Sequence, residues 1–352
     1  MKRSRILMIV LVLAMVVSMF SACAPKATEA KSPSTEGGSE SAETATPKKL
    51  GVIYLLSAAP FYQAYSQHLQ NIAEANGIEL IELDGECDQA KMTTQMENLI
   101  ASEVDGIIYC LLEGQSASAD INAAQDKGIP VVTFAIPHDR TSADCPFVGI
   151  DEVAAGKIGG VAAGEFYLDN HADEKAQIAV VEFTGLKAST DRSDGFIEGF
   201  LSVVENAEVV ARVDGKGQKD SAMAVTEDLI QTKPEINVLY GANGDQGLGA
   251  LAALEAQGRG TLETELVISH DGSEPEVLML ATPDSALKFA VANQPKELSE
   301  GCFNTLMEII NGEREMKNTD NVMIPAVALS GQDLDFAQEF IATEYLSDTK
   351  IK

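Results

Sequence analysis

Two polar residues follow neighbouring apolar runs in the stretch 238–272. Asn243 comes after the run 238–240, and Asp271 comes after the run 266–269. An amide and a carboxylate are groups that can hydrogen-bond the hydroxyls of a small solute. Helical spacing between the two runs predicts a β-α-β unit, whose strands are parallel. Because ligands of open parallel sheets bind beyond the carboxyl ends of the strands, this edge is predicted to be a binding site.

Signals for catalysis are weak in this chain. It contains no Gly-x-Ser-x-Gly elbow, no phosphate-binding Gly-Lys-Ser/Thr loop and no His-Glu-x-x-His sequence. The glycines at 244, 247 and 249 do not have the dinucleotide-binding spacing. His270 has no nucleophile motif near it, and we expect it to be a loop residue. The sequence therefore predicts a protein that is not an enzyme and that needs no cofactor.

Five cysteines are present, at positions 23, 87, 110, 145 and 302. Their spacing is not that of metal ligands, so no metal site is expected. Cys110 lies inside an apolar run and is predicted to be a buried strand residue. For Cys87 and Cys145 two alternatives stay open, a disulfide bond between them or two separate thiols.

The start of the chain predicts export. Residues 1–5 are basic and residues 6–20 form an unbroken apolar run, which indicates a secretory signal over 1–22 rather than a spanning helix. The Ser-Ala-Cys that follows is similar to a bacterial lipoprotein cleavage box, so Cys23 would become the acylated first residue; the alternative is ordinary secretion with Cys23 unmodified. Residues 23–47 contain almost no large apolar side chain and predict a lipid-anchored flexible tether.

The formal net charge of −29 at pH 7 excludes some partners. So much negative charge argues against binding to nucleic acid and against broad contact with anionic lipid. Membrane contact is accordingly expected through the lipid anchor alone. The remaining residues, 48–352, are enough for two domains of ordinary size.

After the tether, apolar runs of strand length alternate with helical patterns. Strands are predicted at 50–56, 78–83, 107–111, 129–134, 147–150, 178–183, 209–213, 238–240, 266–269, 287–292 and near 322–329. Helices are predicted from Pro60 and at 90–102, 116–127, 153–168, 193–204, 220–231, 246–257, 274–281, 298–311 and 332–345. Gly77, Gly128 and Gly258 each supply a left-handed helix end. The pattern predicts an α/β fold with two Rossmann-like lobes, each built on a parallel sheet.

Six short motifs resemble those of the type I periplasmic sugar-binding proteins of ABC importers, the ribose-binding class, over about 48–345. They are Pro60-Phe61-Tyr62, Lys127-Gly-Ile-Pro-Val, Asp191-Arg192-Ser-Asp-Gly-Phe196, Ala242-Asn243-Gly-Asp-Gln-Gly-Leu-Gly-Ala250, His270-Asp271-Gly272 and Ala292-Asn293-Gln294-Pro295. The related lactose-repressor class shares that fold, but it begins with a DNA-reading domain. This chain has the signal and tether in that place.

This resemblance implies two lobes joined by a three-stranded hinge, which close on the ligand. Lobe one would comprise 48–152 plus 294–324, and lobe two 153–293 plus 325–352. The implied function is that of a monomeric, extracytoplasmic binding protein that delivers a small neutral sugar or sugar-like solute to an ABC permease. The alternative is a ligand-sensing lipoprotein that signals through a membrane sensor.

The resemblance also implies which residues contact the ligand. Phe61 and Tyr62 match the aromatic pair that flanks the sugar ring, with helix-start packing as the alternative role. Arg192 matches the arginine of an Arg-x-x-Gly-Phe motif, whose fork suits paired oxygens. Asn243 and Asp271 match the amide and the carboxylate at the strand ends. For Asp271, a turn cap is the alternative.

The hinge and lobe one complete the implied site. Asn293 matches the hinge-side amide of the family, with Gln294 one residue further on. Ala135 and Ile136 stand where sugar binders carry an acidic residue followed by Arg or Ser, and Ala58-Ala59 replaces a common Asn. A ligand hydroxyl left unpaired against such a wall costs about 1–3 kcal/mol. We therefore expect a ligand that is less polar on one side, or compensation by waters and other residues.

Overall fold

The computed structural model describes residues 48–112, 114–137, 143–171 and 173–351. The predicted signal (1–22), the tether (23–47) and Cys23 lie outside the described residues. Thr46–Lys352 forms one compact unit. In the part of the chain that is described, no helix is long and apolar enough to cross a membrane.

Strands and helices alternate along the chain, as the apolar runs predict. The first set is β1 (Lys49–Tyr54), α1 (Pro60–Ala75), β2 (Glu79–Asp84), α2 (Gln89–Ala101), β3 (Gly106–Tyr109), α3 (Gly114–Gln125), β4 (Val131–Phe134) and β5 (Phe147–Gly149). The second set is α4 (Glu152–His171), β6 (Ala176–Glu182), α5 (Lys187–Val203), β7 (Ala207–Asp214), α6 (Lys219–Thr232), β8 (Val238–Gly241), α7 (Gly244–Ala256), β9 (Leu266–Asp271), α8 (Glu274–Leu280) and β10 (Leu287–Ala292). The chain ends with α9 (Pro295–Ile310), β11 (Val322–Met323), β12 (Val327–Ser330) and α10 (Leu334–Glu344).

The strands form two six-stranded sheets. Their orders are β11-β5-β4-β3-β1-β2 and β12-β10-β9-β8-β6-β7. All neighbouring strands are parallel except β10 and β12, which run antiparallel. The α/β class with two lobes and parallel-dominated sheets is thus confirmed.

The chain passes from one sheet to the other three times, after β5, after β10 and between β11 and β12. The single strand predicted near 322–329 is wrong, because its two ends belong to different sheets. Ile324 still donates its backbone N–H to Gly149, but Pro325 has no N–H and cannot continue the ladder. The lobe limits at 152, 293 and 324 stay a prediction.

Helix α4 packs on α5 at backbone distance, because glycines lie at the contact. A Cβ atom on Gly156 would lie 2.0 Å from the carbonyl oxygen of Arg192, and one on Gly195 would lie 2.1 Å from the carbonyl oxygen of Val153. Neither position can accept a larger residue unless the helices move apart. This contact brings the first residue of α4, Glu152, next to the side chain of Arg192.

Two further expectations are corrected, and one open alternative is resolved. Helix α5 begins at Lys187, not at 193, and its added first turn carries an ion pair between Lys187 and Asp191. His270 is not a loop residue, since it lies within β9 and is fully buried. Cys87 and Cys145 are not joined, and both are thiols.

Candidate functional site

A cavity of about 140 Å³ lies where the carboxyl ends of strands from both sheets meet. Its lining includes these predicted site residues: Phe61, Tyr62, Ala135, Ile136, Arg192, Asn243, Asp271 and Asn293. Gln294 is not part of the lining. It precedes α9, and its side-chain amide donates to the carbonyl oxygen of Pro325, at the crossing between β11 and β12.

Asp271 is the last residue of β9 and connects several parts of the site. Its Oδ1 accepts a hydrogen bond from Asn293 Nδ2 at 2.9 Å, and its Oδ2 accepts one from the Gly244 N–H at 3.1 Å. Asp271 therefore holds the first turn of α7 as well as facing the cavity. Burial raises the pKa of this carboxyl to about 6, while the Arg192 guanidinium acts in the opposite direction.

The backbone of Asp271 is held in an unusual conformation. Its φ is 115°, a region that residues with a side chain rarely adopt and that costs about 1–3 kcal/mol. The Tyr345 hydroxyl donates to the Asp271 carbonyl oxygen at 3.0 Å, and Gly272, with φ of 70°, continues the turn. These contacts direct the carboxylate toward Gly244 and the cavity.

Arg192, on α5, donates most of its N–H groups to other atoms of the protein. Its Nε and Nη2 donate to the two carboxylate oxygens of Glu152, at 2.6 and 3.0 Å. Its Nη1 donates to the Ala242 carbonyl at 3.2 Å and makes a long contact of 3.5 Å to Asp271 Oδ1. A guanidinium has five N–H groups, so one N–H on Nη2 remains for a ligand. Burial by itself lowers the pKa of Arg192, but Glu152 and Asp271 raise it above its ordinary value.

Two side-chain amides contribute the remaining polar groups near Asp271. Asn243 caps α7 by accepting a hydrogen bond from the Gln246 N–H at 2.8 Å. Its Nδ2 donates to the Gly217 carbonyl at 3.0 Å, which leaves one N–H. Asn293 donates to Asp271, while its Oδ1 is buried close to the His270 imidazole.

The opposite wall is apolar and partly aromatic. The Phe61 and Tyr62 rings lie 5.0 Å apart at 76°, an edge-to-face arrangement, and the Tyr62 hydroxyl lies 3.3 Å from Cys110 Sγ. Ile136 is buried, and Ala135 has a φ of 60° at the end of β4. Among the described residues, none that the first sheet and its loops contribute to the cavity is charged. Phe61 also packs on Tyr65, so helix-start packing and cavity lining coexist.

The structure adds site residues that sequence reasoning missed. Glu152 pairs with Arg192, and its position in the first turn of a helix after β5 was the available signal. Lys216 and Gly217, both with positive φ, line the cavity from the loop after β7. Gln246 lines it from α7. Within the described ranges, no group of three or more His, Cys, Asp or Glu side chains could hold a metal ion.

Comparison with known proteins agrees with this architecture. The model of the periplasmic binding protein domain family matches residues 50–314, and the chain belongs to that family. The ABC transporter periplasmic-binding protein YphF of Escherichia coli K12 is 26% identical over 280 residues, which cover 78% of this chain and 84% of that protein. The ribose import binding protein RbsB of Bacillus subtilis is 25% identical over 259 residues, covering 73% of this chain and 80% of that protein.

A solved structure shows the same fold. The ABC transporter solute binding protein of Bacillus halodurans, crystallised with myo-inositol, superposes with a TM-score of 0.73 and is 22% identical. The match covers 83% of this chain and 97% of that one. The family places such proteins outside the cytoplasm.

Proposed function

We propose that this protein is the extracytoplasmic solute-binding protein of an ABC importer, and that it holds a small neutral sugar or sugar-like solute between its lobes. One observation carries the proposal: the polar groups of Arg192, Asn243, Asp271 and Asn293 converge on a cavity whose far wall is apolar. The names of YphF and RbsB point to the same function class. An ABC permease is the implied partner.

Each side of the cavity has its own part in binding. The Asp271 carboxylate accepts hydrogen bonds from ligand hydroxyls, with Asn293 holding its Oδ1 in place. Asn243 and Arg192 each donate one remaining N–H to ligand oxygens. The faces of Phe61 and Tyr62 cover the C–H surface of the ligand. A ligand hydroxylated mainly on one side fits this arrangement best.

The site is suited to binding a ligand without converting it chemically. Glu152 neutralises Arg192, and neither forms a nucleophile–base pair with a Ser, Cys or His side chain in the described part of the chain. We infer that the protein is not an enzyme, and that it acts as a monomer. Cys23 would carry the lipid that anchors it to the membrane.

Two measurements test this function. A thermal-shift screen of the domain from Lys48 against sugars, cyclitols and nucleosides should find a ligand that stabilises it by about 2.7 kcal/mol at a hundredfold excess over its dissociation constant. Small-angle scattering with that ligand should show a smaller radius of gyration, because the lobes close on the hinge. Failure of every neutral polyol in the screen would reject the proposed ligand class. A radius of gyration that does not decrease under saturating ligand would reject closure of the lobes.

A further inference from the structure

Gln246 is one of the residues that line the cavity, and its buried side-chain amide has no partner among the described residues. It is the third residue of α7 and is fully buried. Its backbone N–H is satisfied by Asn243 Oδ1, at 2.8 Å. Both Oε1 and Nε2, however, lack a hydrogen-bond partner in the part of the chain that the structure describes.

This amide lies apart from the polar cluster around Asp271. Its Nε2 is next to the loop after β7, where a Cβ atom on Gly215 would approach it to 2.9 Å. The same loop is tied to the start of α7, since Asn243 Nδ2 donates to the Gly217 carbonyl at 3.0 Å. None of the hydrogen bonds described for Arg192, Asp271 and Asn293 involves the Gln246 side chain.

A buried amide with two unpaired atoms destabilises a protein, and nearly all buried polar groups find a partner. An apolar side chain of the same shape would fit the position without that cost. A glutamine here is therefore explained best by a partner that arrives with the ligand. The amide offers a donor and an acceptor side by side, and a hydroxyl group can use both.

We propose that Gln246 contacts the ligand directly and selects one that carries a hydroxyl group at this end of the cavity. Nε2 donates to the hydroxyl oxygen, and Oε1 accepts the hydroxyl proton. A hydrogen atom or a methyl ether at the same place leaves the amide partly or wholly unpaired, and is discriminated against. This assignment rests on the proposed solute-binding function.

The first test needs no ligand. Gln246→Met keeps the shape of the side chain, and it should leave the melting temperature of the unliganded protein unchanged or raise it. Gln95→Met is the matched control, because Gln95 is also buried but its Nε2 donates to the Asp84 carbonyl at 2.7 Å. The control should lose a few degrees. A loss in Gln246→Met as large as in Gln95→Met would show that the amide is paired within the protein, and would overturn the proposal.

The second test uses calorimetry with D-ribose, D-allose and myo-inositol. For the compound that wild type binds most tightly, Gln246→Met should bind about tenfold more weakly or worse, and Gln95→Met within twofold of wild type. Among single-deoxy derivatives of that compound, one should lose affinity for wild type but not for Gln246→Met. Equal affinity of wild type and Gln246→Met overturns this inference and leaves the proposed function standing. Where wild type binds none of the three, the best polyol of the thermal-shift screen takes their place, and failure of every neutral polyol removes both the inference and the proposed function.

Discussion

Arg192 and Glu152 form a two-point ion pair, with Nε 2.6 Å from Oε2 and Nη2 3.0 Å from Oε1. Their side chains are only 13% and 7% exposed. The resemblance implied that the paired-donor edge of Arg192 grips the ligand, but the structure turns that edge toward Glu152. Arg192 is left with one N–H for a ligand and with its contact to Asp271. Much of the role of Arg192 is therefore to hold the neighbouring groups of the site, such as Asp271, in position.

Removal of one charge from this pair should destabilise the fold. Glu152→Gln leaves the buried Arg192 guanidinium with only the longer contact to Asp271 as counter-charge, and should lower the free energy of unfolding by about 3 kcal/mol in urea denaturation. The control is Glu198→Gln, whose ion pair with Lys157 is about half exposed on both sides. An exposed pair contributes about 0.5 kcal/mol or less. Equal losses in the two variants would contradict a buried, stabilising pair.

Features set by local chemistry could be read from the sequence. Gly77, Gly128 and Gly258 have φ of 64°, 80° and 69° and follow three helices, as predicted. The cap of α7 by Asn243 is equally local, because an asparagine side chain reaches the N–H three residues on. The two α/β lobes could also be predicted, because the periodicity of apolar residues in a strand or a helix is a local property of the sequence.

Features set by distant packing could not be read. Glu152 and Arg192 are 40 residues apart, and only the close approach of α4 and α5 brings them together. The Gln246 amide lies next to the loop after β7. No local sequence pattern reveals this contact. His270 was wrongly predicted to be a loop residue, because a buried imidazole in a strand needs a hydrogen-bond partner from a part of the chain distant in sequence. That partner is the Tyr240 hydroxyl, 3.1 Å from Nδ1.

Glu276 should make the stability of the unliganded protein depend on pH. Burial, and then the charge of Asp271, raises the pKa of its carboxyl from 4.5 to about 8. The folded state thus holds this proton more tightly than the unfolded chain does. The contribution of Glu276 to stability is therefore greatest below pH 4.5 and falls as the pH rises toward 8, with Asp271 adding to the fall up to about pH 6.

Glu276→Gln should remove most of that fall, since its neutral amide needs no proton. Its oxygen can still accept from the Ser273 N–H, which now lies 2.6 Å from Oε2. Melting temperatures between pH 4.5 and 8 check this, with Glu198→Gln expected to keep the wild-type slope. A wild-type slope in Glu276→Gln would assign the pH dependence to other groups.

Ala135 tests the apolar wall. Its φ of 60° is one that aspartate tolerates better than most residues, so Ala135→Asp changes the charge of the wall more than the backbone. A carboxylate facing Phe61 and Ile136 should weaken binding of the best ligand by about tenfold or more, equivalent to about 1.4 kcal/mol. Ala135→Gly should stay within about threefold by calorimetry. Tighter binding by Ala135→Asp would mean that the wall lacks a polar grip that the ligand needs.

Cys23 tests the anchor. Cys23→Ala should abolish membrane association and either release the protein or leave the precursor uncleaved, because no acylation site remains. Fractionation of cells into membrane and soluble material checks this, with Cys302→Ala, a buried cysteine of the folded domain, as the matched control. A Cys23→Ala protein that has lost its signal and still sediments with the membrane would argue against lipidation.

Arg192 and Asp271 test the polar side of the cavity together. In both Arg192→Ala and Asp271→Ala, buried groups lose their partner: the Glu152 carboxylate in the first, the Gly244 N–H and the Asn293 amide in the second. Truncation of a buried charged partner costs about 2–5 kcal/mol in binding, so each variant should bind its ligand about a hundredfold more weakly or worse. Arg192→Ala should also lower the melting temperature, whereas Asp271→Asn should retain the fold and lose mainly affinity. Circular dichroism before calorimetry separates unfolding from lost contacts. Near-native affinity in folded samples of both alanine variants would place the binding site elsewhere in the molecule.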